Sequence, residues 1–410
     1  MYQLKHGEAG GTAGKGKRFL LAGGGTGGHI YPALAIAREL LARHPGAEIL
    51  FIGGTRGLEG ELIPREGFAF RAISVSGFRR SLSLDTLATA ARAGLGVAQS
   101  LAVVSQFRPD AAIGTGGYAS GPAMLASSWL GVPVLIHEQN VVPGAVNRML
   151  SGRAAIVAIS WEESRKYLKR PDSAVLTGNP VRPEVIAATR EDGLTSFGLD
   201  GSRPTVLAFG GSQGSASINR ALIGALPTLA ARVSAQFVLA TGNDKFSESI
   251  ALARDVGVPV AVSSNGIARS ERGDIIIMPY IYNMPHALAC ADLALTRSGA
   301  ITLAELAVRG VPAVLVPHPN VPDNVQEKNA RAVERRGAAR VMLDRELEPA
   351  ALASVVADLL ADPGALRAMA DASRANGIPD AGGRAADCVE RIMRARGRRR
   401  RTRSHMGLLA

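Results

Sequence analysis

Residues 20–32 read LLAGGGTGGHIYP, an apolar run followed by five glycines, one threonine and His29. The pattern predicts a buried strand, a tight glycine loop and a helix with Pro32 in its first turn. A junction of this kind points unpaired backbone N–H groups and the positive end of a helix dipole at one place, and glycine lets a ligand approach the backbone closely. The stretch therefore predicts an anion-binding loop at the carboxyl end of the first strand.

The glycines of this loop also fit a dinucleotide fingerprint. Gly23, Gly25 and Gly28 match G-x-G-x-x-G, which additionally requires an acidic residue at the carboxyl end of the second strand, about 20 residues on. The predicted second strand ends in a glycine pair at 53–54, and its one acid, Glu48, lies at the opposite end. A nicotinamide or flavin site is thus weakly supported, and a purely structural glycine turn is the alternative.

Length and composition predict two folded domains. The chain has 410 residues, of which 47% are apolar, so it can bury large cores. Eight of its 47 basic residues lie between Arg391 and Arg403, whereas the rest of the chain nearly balances its 35 acidic residues. The near-neutral body makes nucleic acid an unexpected partner. Cys290 and Cys388 lack the spacing of a disulfide framework or a zinc site, and the first 18 residues do not resemble a signal peptide.

Short apolar runs alternate with amphipathic stretches from residue 19 onward. The apolar runs are at 49–52, 111–113, 132–136, 154–159, 205–209, 235–240, 274–278, 292–295 and 313–316. Stretches such as 215–231 and 300–308 between them have helical periodicity. The alternation predicts an α/β protein with parallel sheets covered on both faces.

The opening pattern occurs a second time. Residues 205–219, TVLAFGGSQGSASIN, again give a strand, a glycine loop and a helix, after a predicted domain boundary at 178–200. Two doubly wound domains, each with a loop at the end of its first strand, would face a ligand across a cleft.

Three other loops follow predicted strands and carry polar or glycine-rich sequence. Residues 114–122 (GTGGYASGP) offer a second group of backbone N–H donors, and residues 137–140 (HEQN) place four polar side chains at a strand end. Residues 297–305 (RSGAITLAE) open a helix in which Glu305 can either cap the helix or accept two ribose hydroxyls. For HEQN, helix capping is the alternative to lining a cleft.

Together these motifs resemble those of the MurG family. The match rests on GGGTGGH, GTGGYASGP, HEQN, GNPVR, GGSQGS, RSGAITLAE and Gln326 with Asn329 and Ala330, in order from about residue 18 to about 395. That family transfers N-acetylglucosamine from UDP-N-acetylglucosamine, with inversion, to undecaprenyl-pyrophosphoryl-muramoyl-pentapeptide (lipid I to lipid II) in peptidoglycan synthesis. The resemblance implies the GT-B fold, two Rossmann-like doubly wound domains facing across a cleft.

The resemblance also implies site residues. In the donor site, Arg182 would contact the nucleotide or phosphate, and Ser212 would contact the diphosphate. Glu305 would accept from the ribose, and Gln326 would bind the sugar hydroxyls. The backbone of Ile281 would hydrogen-bond to uracil. The remaining donor-site residues that it implies are Ala300, Ile301, Thr302, Leu303 and Ala304 at a helix start, and Thr26, Gly27, Gly28 and Asn140 from the first domain. The acceptor-binding residues that it implies are Gly116, Gly117, Tyr118 and Ser120.

One position departs from the family pattern. Val325 stands beside Gln326 where the family usually has a second polar residue, which predicts a weaker donor site with the same donor.

His29 is the predicted catalytic base, because an imidazole at the helix start faces the loop and can take a proton near neutral pH. Its alternative is a hydrogen bond to phosphate or a role in ordering the loop; Glu138 and Tyr118 are weaker candidates for the base. No D-x-D string occurs, so glycine loops, helix starts and Arg182 are predicted to stabilise the departing diphosphate without a tightly bound metal or a required cofactor.

A lipid-linked acceptor requires access to a membrane. Residues 76–87 (SGFRRSLSLDTL) mix apolar residues with arginines as interfacial segments do, and a surface loop with inward leucines is the alternative. The resemblance implies a peripheral protein on the cytoplasmic face of the bacterial inner membrane, with an anionic membrane surface and proteins of cell-wall synthesis and division as expected partners.

The predicted division has five parts: a disordered extension (1–17), an acceptor- and membrane-facing domain (18–180), a UDP-sugar domain (181–376), a helix returning to the first domain (377–396) and a basic disordered tail (397–410). Two alternatives to the predicted activity stay open. One is another GT-B lipid glycosyltransferase or a sugar-nucleotide epimerase, and the other is a polyanion-binding protein that acts through its arginine tail.

Overall fold

The computed structural model describes residues 16–55, 57–75 and 84–406, with backbone alone for 84–93 and 399–406. The predicted extension, except its last two residues, lies outside this part of the chain. So do residues 407–410 and the side chains of the predicted interfacial segment from residue 76 onward.

The described strands form two sheets. They are β1 (Arg18–Gly23), β2 (Glu48–Gly54), β3 (Ala69–Ile73), β4 (Ala111–Gly116), β5 (Val134–Glu138), β6 (Ile156–Ile159), β7 (Ala174–Leu176), β8 (Thr205–Phe209), β9 (Gln236–Ala240), β10 (Val260–Val262), β11 (Ala268–Ser270), β12 (Ile275–Met278), β13 (Leu293–Thr296), β14 (Ala313–Leu315) and β15 (Ala339–Val341).

The described helices are α1 (Gly27–Arg43), α2 (Glu59–Arg65), α3 (Leu84–Phe107), α4 (Ser120–Trp129), α5 (Ala145–Leu150), α6 (Pro183–Ala187), α7 (Arg190–Phe197), α8 (Ala216–Arg232), α9 (Phe246–Asp255), α10 (Met284–Cys290), α11 (Ala300–Arg309), α12 (Val325–Arg335), α13 (Pro349–Ala361), α14 (Pro363–Ala375) and α15 (Ala381–Met406).

The first sheet is parallel throughout and has the order β3-β2-β1-β4-β5-β6-β7. Leu20 of β1 lies opposite Leu50 of β2 and Ala112 of β4. Successive residues of β1 face opposite sides of the sheet, so Phe19 and Leu21 join one core cluster while Leu20 joins another. Burial on both faces explains why this strand is continuously apolar.

The second sheet has the order β10-β11-β12-β9-β8-β13-β14-β15. Its strands are parallel except at one edge, where β11 runs antiparallel to both β10 and β12. This edge differs from the prediction of parallel sheets alone, because β10, β11 and β12 follow one another through short turns that leave no room for a crossover helix. In both sheets the first strand of the domain, β1 or β8, lies in the interior of the sheet.

Helix α1 begins earlier than the sequence predicts. Its first residue is Gly27, so Pro32 lies inside the helix and not in its first turn. Proline has no N–H to donate to the carbonyl four residues before it, which frees the carbonyl of Gly28 from the helical pattern. The glycine pair at 27–28 thus forms the helix start itself.

The chain crosses between the domains twice, near residues 178–182 and 376–379. After the second crossing, α15 packs on the first domain, and Ala385, Ala386 and Val389 are fully buried in its core. The helix continues to Met406, whereas the sequence predicted a disordered tail from 397. Arginine is a good helix former and no proline interrupts this stretch, so the helical backbone extends beyond the last core contact.

Among the described residues, no single helix combines the length and apolar composition needed to cross a bilayer. The consecutive helices α13 and α14 meet that composition only when taken together, and they are bent by 93°.

Candidate active site

The first glycine loop is held by a buried carboxylate that the sequence analysis missed. Glu59, at the start of α2, accepts hydrogen bonds from Gly25 N at 3.0 Å and from Gly54 N at 2.9 Å. The Gly25 N–H is therefore occupied, and a negative charge lies beside the loop that was predicted to bind an anion. An acid that opens a helix shortly after the second strand was the available signal.

The amides of α1 remain suited to a ligand. Thr26 is exposed and begins the helix without a side-chain cap, and Gly27 and Gly28 are half-buried in its first turn. The first N–H groups of a helix have no acceptor within the helix. These three predicted residues thus lie together at one helix start.

The loop after β4 packs directly on the first glycine loop. Gly116 and Gly117 have φ values of 103° and 79°, and a Cβ at Gly117 would lie 2.2 Å from Gly24 O. Tyr118 is half exposed, but Ser120 is buried and its hydroxyl donates to Gly117 O at 2.9 Å. The Ser120 hydroxyl therefore supports its own loop, and an acceptor contact of Ser120 stays a prediction.

The ring of His29 is fixed at one nitrogen. Its Nδ1 lies 3.0 Å from Thr115 O and 3.2 Å from Gln139 Oε1. Both partners are oxygens that can only accept, so Nδ1 carries the proton and Nε2 of the neutral ring has a free lone pair. This is the tautomer that a proton-accepting base requires.

Glu138 has a supporting role. Its carboxylate accepts hydrogen bonds from Asn140 N at 2.9 Å, Gly144 N at 3.0 Å and Asn147 Nδ2 at 2.8 Å. A carboxylate with three such donors shapes the loop after β5, which agrees with its lower rank as a base.

Arg182 and Glu305 form the centre of the second domain's side of the cleft. Arg182 donates from Nε and Nη2 to the single oxygen Glu305 Oε1, at 3.0 and 2.8 Å. Burial raises the pKa of Glu305, and the Arg182 guanidinium opposes that shift. Among the described residues, no hydrogen bond engages the other carboxylate oxygen. Arg182 is thus paired with the predicted ribose acceptor and is not a free cation.

The two domains border an open cleft of about 630 Å³ at this pair. Arg182, Ile301 and Glu305 line it from the second domain, and Tyr31 and Leu34 of α1 line it from the first. Helix α1 and the predicted ribose-binding residue Glu305 therefore line the same cleft from different domains.

The start of α11 presents backbone donors. Gly299 precedes the helix without a side-chain cap, so the amides of Ala300, Ile301 and Thr302 are open to a ligand, whereas Leu303 N donates to Gly299 O at 3.0 Å. Ala300, Ile301, Thr302 and Ala304 are half-buried, whereas the Leu303 side chain lies in the core of the second domain. Neither the side chain of Leu303 nor its N–H is therefore free to contact a ligand.

The second glycine loop lies between β8 and α8. Ser212 is exposed in it, and no hydrogen bond to its hydroxyl occurs among the described residues. Beneath the loop, Arg297 donates from Nη2 to the hydroxyls of Ser215 and Ser217, both at 2.8 Å, and pairs with Asp344 at 2.6 Å. The arginine fixes the loop, and its charge is balanced by Asp344.

Gln326 and Ile281 each have polar groups without a hydrogen-bond partner among the described residues. Gln326 Oε1 accepts from His318 N at 3.0 Å, while no described partner engages its NH₂ group. The Ile281 side chain is buried, and in the described chain no backbone hydrogen bond involves its N–H or C=O. Val325 is the first residue of α12, after Asn324 in the left-handed region.

Asn140 connects the domains. Asn329 of the second domain donates from Nδ2 to Asn140 Oδ1 at 3.0 Å and to Ser298 O at 3.3 Å, and its Oδ1 accepts from Val141 N at 3.0 Å. Ser298 in turn donates to Gln326 O at 2.7 Å. Polar contacts thus lead from the HEQN loop to the start of α11 and to α12 of the second domain.

Comparisons with known proteins agree with this arrangement. Residues 19–159 match the Glycosyltransferase family 28 N-terminal domain, and residues 205–384 match the C-terminal domain of that family. A relative from Desulforamulus reducens is 42% identical, over 92% of this chain and 99% of its own. It is named UDP-N-acetylglucosamine–N-acetylmuramyl-(pentapeptide) pyrophosphoryl-undecaprenol N-acetylglucosamine transferase. The crystal structure of Acinetobacter baumannii MurG superposes with a TM-score of 0.73 at 28% identity, covering 92% of this chain and 99% of that one. The chain belongs to the MurG family.

Membership of the MurG family and the two facing sheets confirm the predicted GT-B fold. A wider likeness extends to the UDP-GlcNAc 2-epimerase of Neisseria meningitidis, with a TM-score of 0.59 at 15% identity over 92% of this chain and 100% of that one. At that identity the likeness concerns the fold alone. Of the predicted site residues of this MurG-family chain, Arg182, Ile301 and Glu305 line the cleft, and the side chains of Ser120 and Leu303 are buried.

Proposed function

We propose that this MurG-family enzyme transfers N-acetylglucosamine from UDP-N-acetylglucosamine to undecaprenyl-pyrophosphoryl-muramoyl-pentapeptide. The observation that carries the proposal is the buried Glu305 in the cleft between the domains, where Arg182 occupies one carboxylate oxygen and helix α1, which begins just before His29, lines the other side. The relatives' substrate names supply the identity of donor and acceptor.

The donor fits the second domain. Ribose hydroxyls would donate to the free oxygen of Glu305, and the uracil edge would pair with the backbone of Ile281. The diphosphate would lie between the Ser212 loop and the start of α11, where backbone N–H groups supply positive potential. Gln326 would donate from its unengaged NH₂ group to a sugar hydroxyl.

The transfer is a single displacement. A hydroxyl of the muramoyl sugar attacks the anomeric carbon as UDP departs with the bonding electron pair, and Nε2 of His29 takes the hydroxyl proton. Attack from the face opposite UDP inverts the anomeric configuration. The helix starts act on the departing diphosphate, the group on which negative charge develops.

We extend the proposal to turnover without a bound metal. Two features support it: the chain has no D-x-D string, and among the described residues no three His, Cys, Asp or Glu side chains cluster as metal ligands. Activity that survives in EDTA supports this part of the proposal, and activity that is abolished by EDTA and restored by Mg²⁺ contradicts it.

The acceptor's lipid leads to a proposed location, peripheral on the cytoplasmic face of the inner membrane. Support comes from the lipid named as acceptor of the relatives and from the apolar and basic composition of residues 76–87. Proteins of cell-wall synthesis and division stay expected partners on the resemblance alone.

A labelled-sugar assay tests the activity. The full chain is incubated with UDP-[¹⁴C]N-acetylglucosamine and either the lipid-linked muramoyl-pentapeptide or diacylglycerol. The proposal expects label in a lipid-linked disaccharide with the first acceptor alone. Label in a diacylglycerol glycoside, or UDP-N-acetylmannosamine formed without acceptor, would establish the competing glycosyltransferase or epimerase activity instead.

A further inference from the structure

We propose that Gln139 is a positioning residue for the base His29, and that His137 sets the orientation of the Gln139 amide. The inference rests on the proposed function, in which Nε2 of His29 takes the acceptor proton. It concerns the two buried polar residues of the HEQN loop for which the mechanism above has no role.

The orientation of the Gln139 amide follows from its neighbours. Its Nε2 lies 2.7 Å from Thr115 O and 3.1 Å from His137 Nδ1, and its Oε1 lies 3.2 Å from His29 Nδ1. A carbonyl oxygen can only accept, so the nitrogen of the amide must face Thr115. The amide oxygen is thereby directed at His29, where it requires a donor.

The tautomer of His137 agrees with this orientation. Its Nε2 lies 2.9 Å from Gly178 O and must donate to it, which leaves Nδ1 as an acceptor for Gln139. Burial lowers the pKa of His137 to about 4, so its ring is neutral at neutral pH. The main chain of Gln139 is fixed as well, because Trp161 Nε1 donates to its carbonyl at 3.1 Å.

The hydrogen bonds therefore all run in one direction. His29 Nδ1–H donates to Gln139, Gln139 Nε2–H donates to His137, and His137 Nε2–H donates to the carbonyl of Gly178 at the first domain crossing. When His29 takes a proton on Nε2, its Nδ1–H becomes a stronger donor toward two neutral oxygens that are already in place.

No carboxylate is directed at the His29 ring from the described residues around it. The neighbouring acids point elsewhere: Glu138 accepts from Asn140 and Gly144, and Glu59 accepts from the first glycine loop. The remaining titratable neighbour is His137, which is neutral. The base is thus oriented by dipoles alone, and a charge introduced at Gln139 should be detected in its titration.

Two substitutions at Gln139 test the inference. Gln139→Met keeps the volume and removes the hydrogen bonds. We expect kcat to fall about ten-fold, less than the loss of a whole base, because Thr115 O still holds Nδ1–H. The KM for UDP-N-acetylglucosamine should stay within about two-fold of wild type, since the residue does not touch the donor. Gln139→Glu places a carboxylate beside Nδ1–H, which favours the imidazolium and should move the acid limb of the kcat–pH profile to higher pH.

Gln236→Met is the matched control. Gln236 is a buried glutamine of the second domain whose amide bonds Asp200, so its loss should lower stability without changing the kcat–pH profile. Wild-type kcat in Gln139→Met, or an unmoved acid limb in Gln139→Glu, would overturn the positioning role.

A measurement on the wild-type protein needs no variant. Nitrogen-15 imidazole spectra should show His29 as the Nδ1–H tautomer and His137 as the Nε2–H tautomer, and the reverse assignment at either ring contradicts the inference. If the wild-type enzyme fails to transfer N-acetylglucosamine, the proposed function fails on its own, and the spectra still decide the arrangement of hydrogen bonds.

Discussion

At the residue scale, Glu305 is a buried carboxylate that makes only half of the hydrogen bonds it can accept. Both of its arginine contacts go to one oxygen, and the residue lines the cleft between the domains. Burial raises its pKa and Arg182 opposes that shift, so the arginine offsets part of the cost of burying the charge. A ligand with two adjacent hydroxyls would complete the set, and the ribose of the proposed donor has such a pair.

Glu305→Gln should weaken UDP binding by about 1–3 kcal/mol, because a charged acceptor of two hydroxyl donors is lost. Calorimetry with UDP and with 2′,3′-dideoxy-UDP measures the effect, and the dideoxy ligand should bind both proteins alike. Glu184→Gln is the control, since Glu184 lines the same cleft but is exposed. If Glu305→Gln lost the same binding free energy for both ligands, Glu305 would not contact the ribose hydroxyls.

His137 makes the stability of the protein depend on pH. Its pKa is lowered by burial from 6.5 to about 4, so the unfolded chain binds a proton in a pH range where the folded chain does not. Stability is therefore full above pH 6.5 and is lost as the pH falls toward 4, by about 3 kcal/mol at 1.36 kcal/mol per pKa unit. Urea unfolding at pH 7 and pH 4.5 should show a larger loss for wild type than for His137→Gln. Equal losses would contradict a buried neutral ring.

At the scale of elements, the two glycine-rich loops of the first domain pack backbone against backbone, so a side chain at their contact would clash. Gly117→Ala combines a φ of 79° with a Cβ that would lie 2.2 Å from Gly24 O. We expect a loss of about 2–4 kcal/mol in the free energy of unfolding, because the backbone on both sides must move. Gly46→Ala has the same φ of 80° with no atom within 4 Å, and should cost about 1 kcal/mol. Equal costs would show that strain alone, and not loop contact, requires glycine at 117.

The interior strands could be predicted from the sequence, whereas short and edge strands could not. Each continuous apolar run became a strand, because interior strands of a parallel sheet are buried on both faces. The strands that the sequence analysis missed, β3, β7, β10, β11 and β15, are short or lie at sheet edges, and β3 has mostly exposed side chains. Edge strands do not need to be apolar throughout, so their sequences look like loops.

The candidate site could also be predicted only in part. The glycine loops and the position of Glu305 at a helix start could be predicted, because strand ends and helix starts leave sequence signals. The contacts of Glu59 with Gly25 and of Gln139 with His29 could not, because they join residues brought together only by the sheet order. The sequence predicts the start of α1 too late, because proline is favoured in the first turn of a helix. In the structure, the glycine pair at 27–28 precedes Pro32 in the helix.

At the scale of the whole molecule, the two domains are joined by both buried and exposed contacts. The chain crossings touch, since a Cβ at Gly178 would lie 2.8 Å from the Ile378 side chain. The first crossing carries Gly178, which accepts from His137, and Arg182, which holds Glu305. A change of angle at this crossing would therefore act on the contacts of His137 and of Glu305 together.

Asn329→Ala tests the buried part of this interface. The substitution removes the bonds to Asn140 and Ser298 and leaves the buried N–H of Val141 without its acceptor, which costs about 1–3 kcal/mol. Arg148→Ala removes an exposed ion pair with Asp323 across the same gap and should cost less than about 1 kcal/mol. Urea unfolding measures both.

Because Asn329 also bonds the loop that opens α11, its loss should raise the KM for UDP-N-acetylglucosamine, whereas Arg148→Ala should leave it unchanged. An equal effect of the two substitutions on KM would mean that the domains are positioned by their surface charges and not by the asparagine.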